Sequence, residues 1–113
     1  TLLSGDDVSS ADFMLQGGHG VISVTANVVP EQVRAVCAAA LSGDEAVTRK
    51  LDKRLCELHA SLFLESNPIP VKWLLKDMGR IEGTLRLPLT SLGDIHHETL
   101  RVSAKSAGVN FND

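Results

Sequence analysis

The residues able to do chemistry fall into a few groups. Ser4-Gly5-Asp6-Asp7 follows an apolar pair, Leu2-Leu3, and precedes a helical pattern. Strand, turn, helix is the order in which backbone N–H groups can meet an anionic ligand, and parallel α/β folds bind ligands at the carboxyl ends of their strands. The same string also reads as a plain capped turn. Asp6 and Asp7 have the form of an acid pair, but no His or Glu lies close by in sequence, so no metal site is expected. Gly17-Gly18-His19-Gly20 has the composition of a phosphate loop. Its glycines, however, follow a helix and precede a strand, the reverse of what a phosphate cradle needs, and a structural turn is expected.

The four histidines, His19, His59, His96 and His97, match no zinc spacing. His96-His97 is expected on an exposed helix face. A Schiff-base lysine must be desolvated so that its neutral amine can attack a carbonyl. Lys50, Lys53, Lys76 and Lys105 fall on polar helical faces. Lys72, beside Trp73, is the only one with an argument for partial burial, and both residues read as structural. Cys37 and Cys56 sit in helical patterns without a Cys-x-x-Cys pair, which fits reduced intracellular thiols.

The elements that must position these groups can be read from pattern. Residues 1–3 read as the end of a short buried strand. Ser9 or Ser10 opens a short helix through Gln16, and Gly17–Gly20 ends it. Val21-Ile22-Ser23-Val24-Thr25 is β-branched and mostly apolar, as in a central strand of a parallel sheet. Together these form one βαβ unit with a right-handed crossover. The rest reads as helices. Pro30 suits a first helical turn, and Val33, Val36, Cys37, Ala40 and Leu41 form an apolar face. Ser42-Gly43 stops that helix and Asp44 caps the next. Val47, Leu51, Leu55, Leu58 and Leu62 predict one longer helix ending near Phe63, with Arg49, Lys50, Lys53 and Glu57 in water. Asn67-Pro68-Ile69-Pro70 breaks the pattern. Val71, Leu74, Leu75 and Met78 predict a helix ended by Gly79. After a connector, Thr90 or Ser91 begins a last helix through Leu92, Ile95, Val102 and Ala107, stopping at Gly108.

Composition narrows the function. At 43% hydrophobic and 22% charged residues, the 113-residue chain has globular values, which exclude wholesale disorder. A net charge of -3 without any basic stretch gives no nucleic-acid footprint. Tyr is absent, so stacking platforms are poorly supplied. Apolar runs fall far short of the ~20 residues a membrane helix needs, and no signal-peptide pattern is present. Thr1 opens inside an apolar run, and Val21–Val24 suits burial on both faces. Two strands cannot cover two faces, so a larger natural sheet, with further chain upstream, is expected.

Four strings in register carry a resemblance. They are Leu3-Ser4-Gly5-Asp6-Asp7, the run from Gly17 to Asn27 (GGHGVISVTAN), Asn67-Pro68-Ile69-Pro70-Val71-Lys72-Trp73 and Leu85-Arg86-Leu87-Pro88-Leu89-Thr90. Together they resemble the C-terminal part of the dihydrodipicolinate (4-hydroxy-tetrahydrodipicolinate) synthase family, within the pyruvate-dependent class I aldolase/lyase superfamily. N-acetylneuraminate lyase shares that fold and is an alternative parent, and a non-enzymatic helical interaction module is a second alternative. The resemblance implies an α/β fold by ancestry, mostly α by content: the end of a (β/α)8 barrel plus a helical extension. Residues 1–42 would hold the last two β/α units, with strands seven and eight, and residues 43–113 the extension. It implies a cytoplasmic homo-oligomeric lyase of lysine and diaminopimelate biosynthesis. Such an enzyme condenses pyruvate with aspartate semialdehyde through a lysine Schiff base and needs no cofactor or metal. The family's Schiff-base lysine, relay tyrosines and threonine would lie upstream of Thr1, so no catalytic side chain is expected in the chain, which alone would be inactive. Gly5, Asp6 and Ile22 correspond to the substrate-binding rim. Asp12, Leu15 and Gln16 correspond to a helix face used in oligomer assembly.

Overall fold

A computed structural model describes residues 1–111. Strand β1 (Leu3–Ser4) pairs in parallel with β2 (Gly20–Val21), Leu3 opposite Gly20 and Ser4 opposite Val21. Helix α1 (Ser10–Leu15) connects them, giving the expected βαβ unit. The five-residue strand predicted over Val21–Thr25 is shorter than its composition suggests. Beyond Val21 the chain turns into a 3₁₀ segment, Thr25–Asn27, and Ile22 is 72% exposed. Burial on both faces needs packed layers on either side of a wider sheet, and among the described residues β2 pairs with β1 alone.

Two glycines end α1 for separate reasons. Gly17 adopts φ +113°, a conformation that side chains disfavour. At Gly18 a Cβ would lie 2.2 Å from the Phe13 ring and 2.9 Å from its carbonyl oxygen. The structural turn expected here is what forms.

Helix α2 (Pro30–Leu41) runs between its predicted limits, with Pro30 in its first turn and Gly43 at φ +80° just beyond its end. Leu41, assigned to its apolar face, is exposed. Asp44 then caps α3 (Glu45–Lys53), accepting from Val47 N at 3.1 Å. The single long helix predicted from here to Phe63 is two helices. A turn at Arg54-Leu55 separates α3 from α4 (Cys56–Ser61). Leu55, Leu58 and Leu62 are buried as expected, but Val47 is exposed and Thr48 takes its place inside. Thr48 is tolerated there because its hydroxyl donates to Asp44 O at 2.7 Å.

Helix α5 (Ile69–Asp77) ends before Gly79, at φ +75°, as predicted. The last helix starts later than predicted. Gly93 is extended, a 3₁₀ turn spans Asp94–His96, and α6 runs from His97 to Ser106. The delay shifts the helical phase, so Ile95 and Val102 face outward while Leu100, Ser103 and Ala104 are buried.

One core joins these pieces. Ala11 of α1, Val33 and Val36 of α2, Leu58 of α4, Leu74 of α5 and Leu100 of α6 belong to a single buried cluster. It crosses residue 42, so the βαβ segment and the helical segment pack as one body. Each fully buried leucine contributes ~2 kcal/mol of burial. The cluster is the rigid base on which the strand ends stand.

Candidate functional site

The residues expected to form the site lie at the carboxyl edge of the strand pair. Ile22 N donates to Ser4 O at 2.9 Å, the last rung of the ladder. Gly5 and Ile22 therefore leave the edge side by side, 17 residues apart in sequence. Gly5 has open space around its Cα, with nothing within 4 Å of a built Cβ. The register thus brings together Gly5, Asp6 and Ile22, the three residues expected at a rim. The Gly17–Gly20 turn lies at the opposite end of the pair, where His19 N donates to Leu2 O and His19 Nδ1 accepts from Leu2 N.

Asp6 and Asp7 are not an acid pair. The Asp6 carboxylate accepts from Ser9 N at 3.1 Å and Ser9 Oγ at 2.6 Å. Ser9 stands at the N-cap of α1, but its hydroxyl donates to Asp6 rather than accepting from the helix, so the expected serine cap is not formed. Asp7 turns inward and is buried. Its carboxylate accepts from Ser23 Oγ, from Val24 N at 2.9 Å and from Thr25 N at 3.2 Å. A buried carboxylate is stable only when donors surround it. Asp7 therefore fixes the segment after β2, where sheet pairing has ended. The Ser23 and Thr25 that come after an apolar strand were the available sequence signal for this role.

A second residue missed in sequence is His59. Thr25 is fully buried, and its Oγ1 lies 2.7 Å from Nδ1 of the equally enclosed His59 on α4. His59 Nε2 lies 3.6 Å from Asp52 Oδ1. A polar chain thus runs from the strand edge into the helical segment.

The residues expected to join subunits lie on or next to α1. Asp12 is exposed and paired with Arg49 of α3 at 2.8 Å, Leu15 is half-buried, and Gln16 is exposed. Arg49 also meets Glu45 at 3.0 Å, and the two carboxylates raise the pKa of its guanidinium. His96-His97, expected in the open, is half-buried instead. The His97 ring stacks on Trp73 at 4.3 Å, with the Arg101 guanidinium 5.4 Å from the Trp73 ring. Lys72 is half-buried in the same neighbourhood, beside a cavity of about 200 Å³. Arg101 grips Asp77 through two bonds of 2.8 and 2.7 Å and holds that carboxyl below its ordinary pKa. Cys37 and Cys56 are free thiols, both pushed up in pKa chiefly by burial. Among the described residues no three His, Cys, Asp or Glu side chains converge as metal ligands would. Nor is any helix there long and apolar enough to cross a membrane.

A parallel strand pair with a crossover helix, backed by further helices, defines the class: an α/β unit of the kind from which barrels are built. Comparison with known proteins makes it particular. The model of the dihydrodipicolinate synthetase family matches residues 1–107. The 4-hydroxy-tetrahydrodipicolinate synthase of Teredinibacter turnerae is 55% identical over 106 residues, covering 94% of this chain and 36% of that protein. That of Azoarcus sp. is 53% identical over 108 residues, covering 96% and 37%. Among solved structures, the chloride-inhibited dihydrodipicolinate synthase of Acinetobacter baumannii complexed with pyruvate superposes with a TM-score of 0.93. It is 47% identical and covers 96% of this chain and 37% of its own. A chain described as the first monomeric dihydrodipicolinate synthase variant superposes at 0.90, with 42% identity over 94% of this chain and 35% of its own. The chain belongs to the dihydrodipicolinate synthetase family, and it spans little more than a third of the length of the curated relatives it matches. These relatives favour the synthase over the lyase and interaction-module readings.

Proposed function

We propose that this chain is the C-terminal portion of a 4-hydroxy-tetrahydrodipicolinate synthase, with β1 and β2 as strands seven and eight of a (β/α)8 barrel. Residues 1–42 supply the last two β/α units and residues 43–113 the helical extension. The whole enzyme is a cytoplasmic lyase condensing pyruvate with aspartate semialdehyde, in lysine and diaminopimelate biosynthesis. The observation that carries this reading is the register: it sets Gly5 and Ile22 together at the carboxyl edge, where barrel enzymes bind their substrates. The likeness to a pyruvate-complexed relative supports the same substrate.

In this reading the chain shapes the pocket and does not supply the nucleophile. Gly5 gives the substrate close access to backbone, Asp6 fixes the turn beside it, and Ile22 presents main chain to the reacting centre. A Schiff base needs an amine withdrawn from water. Lys50, Lys53, Lys76 and Lys105 are exposed on helices, and the half-buried Lys72 lines a cavity with Trp73, Leu85 and His97 that includes no residue of this edge. The lysine and the proton-relay groups therefore belong to parts of the enzyme outside these 113 residues. Asp12, Leu15 and Gln16 form part of a subunit contact. Leu2, Leu3 and Val8, which are exposed here, are covered by the rest of the barrel. Left alone, the chain self-associates through that surface, and light scattering at micromolar concentration should find dimers or larger; a monomer would contradict this.

A chimera tests the function. This chain replaces the matching C-terminal portion of the Teredinibacter turnerae synthase, and condensation of pyruvate with aspartate semialdehyde is assayed. Turnover within about tenfold of the parent is expected. A folded chimera without turnover would count against the reading.

A further inference from the structure

The segment Ile22–Val24 is where the proposed pocket rim and the polar chain meet. Sheet pairing stops at Val21, and among the described residues the last ladder bond is the one from Ile22 N to Ser4 O, so Ser23 and Val24 have none. Asp7 holds one side of the segment, through Ser23, Val24 and Thr25. The other side depends on a helix 34 residues away in sequence, where His59 Nδ1 meets the Thr25 hydroxyl at 2.7 Å. Both partners are enclosed, and a hydroxyl without its partner in such a place is costly. Across the ring, Nε2 faces Asp52, whose side chain is only one-fifth exposed.

We propose that His59 is a positioning residue of this enzyme: through Thr25 it sets the main chain of Ile22–Val24 at the pocket rim. The inference rests on the proposed synthase function and names the device that fixes its rim. The 2.7 Å contact joins Nδ1 and the Thr25 hydroxyl directly, one donating and the other accepting, while Asp52 stands 3.6 Å from Nε2 on the far side of the ring. The Thr25 backbone N–H remains for Asp7. Thr25 is thus clamped by a carboxylate on its main chain and by an imidazole on its side chain. Ile22 lies only three residues before it. The helical region then has a part in catalysis without touching substrate. It fixes a rim whose displacement by about 1 Å is enough to slow a reaction that depends on alignment.

The chimera with the Teredinibacter turnerae synthase provides the test. His59→Ala should lower kcat roughly tenfold or more, with a smaller change in KM for pyruvate. His59→Asn, whose side-chain amide reaches the place of Nδ1, should recover most of that loss. Thr25→Val, which cuts the same link from the other end, should match His59→Ala and serves if His59→Ala does not fold. Ser61→Ala is the control. It removes a buried bond of 2.6 Å to Ser103 from the same helix without touching the rim, and should leave kcat near that of the unsubstituted chimera. A folded His59→Ala or Thr25→Val chimera with kcat unchanged would overturn the proposal. So would a Ser61→Ala loss equal to that of His59→Ala, which would mark a general effect of destabilising α4. An unsubstituted chimera that is folded but inactive would overturn the functional reading, and this inference with it. An active one that ignores His59 overturns this inference alone.

Discussion

The strand edge and the helical region are held together by different forces. The helices bury leucines completely: Leu55, Leu58, Leu62, Leu74 and Leu100 are sealed from water. The strand edge buries little. Leu2, Leu3, Val8 and Ile22 are exposed, and each strand has two residues. Its shape comes instead from carboxylates: Asp6 holds the entry to α1, and Asp7 holds the turn after β2. Apolar burial is strong but non-directional, whereas hydrogen bonds are weaker and fix direction. The proposed pocket rim is held by the directional force, and the helical core by the other.

Substitutions can break or sharpen that contrast. The largest difference should come from truncating one aliphatic residue in each region. Leu58→Ala should cost ~2–5 kcal/mol, because it empties a sealed position. Ile22→Ala should leave the stability of the isolated chain nearly unchanged. Urea unfolding monitored by circular dichroism compares them, and equal costs would erase the distinction.

Next in size is Asp7→Asn. It weakens an acceptor that serves three donors and should cost ~2 kcal/mol. Hydrogen exchange of the Val24 and Thr25 amides should accelerate more than that of the α4 amides. Uniform acceleration would show that Asp7 supports the whole fold and not the edge.

The smallest effect is expected on the helical side. Arg101 lowers the pKa of Asp77, so the folded state holds the ionised carboxylate more tightly than the unfolded chain does. That stabilisation is complete above the unfolded carboxyl pKa of ~3.9 and is lost as pH falls through the lower folded value. Asp77→Asn should therefore flatten part of the stability loss below about pH 4 and leave the strand edge unaffected. Acid titration of unfolding free energies measures it; an unaltered acid slope would remove the ion pair from the account of this region.

The same contrast explains how much of the fold was legible in sequence. Where a backbone rule acts locally, the limits came out correctly: Pro30 opens α2, Asp44 caps α3, and Gly79 comes just after α5. Where packing decides, they did not. The stripe Val47, Leu51, Leu55, Leu58, Leu62 keeps helical spacing straight through Arg54-Leu55, and neither Gly nor Pro marks the break there. The last helix was placed early because Leu92 and Ile95 continue its apolar period, although Gly93 is extended. At the site, the βαβ pattern implied a parallel pair, whereas the placing of Gly5, Asp6 and Ile22 at one rim came only from the family resemblance; the register that sets Gly5 beside Ile22 is a structural finding. The inward turn of Asp7 and the Thr25–His59 contact were not legible, because a hydrogen bond across 34 residues leaves no periodic trace.

Trapping with pyruvate and borohydride tests the division of labour most directly. Borohydride reduces a lysine–pyruvate imine to a stable amine, which peptide mass spectrometry can place. The chain alone should acquire no pyruvate-derived mass. The chimera should acquire one, on a lysine contributed by the Teredinibacter turnerae portion. A reduced adduct on Lys72 or any other lysine of these 113 residues would contradict the claim that this chain shapes the pocket while the nucleophile lies elsewhere.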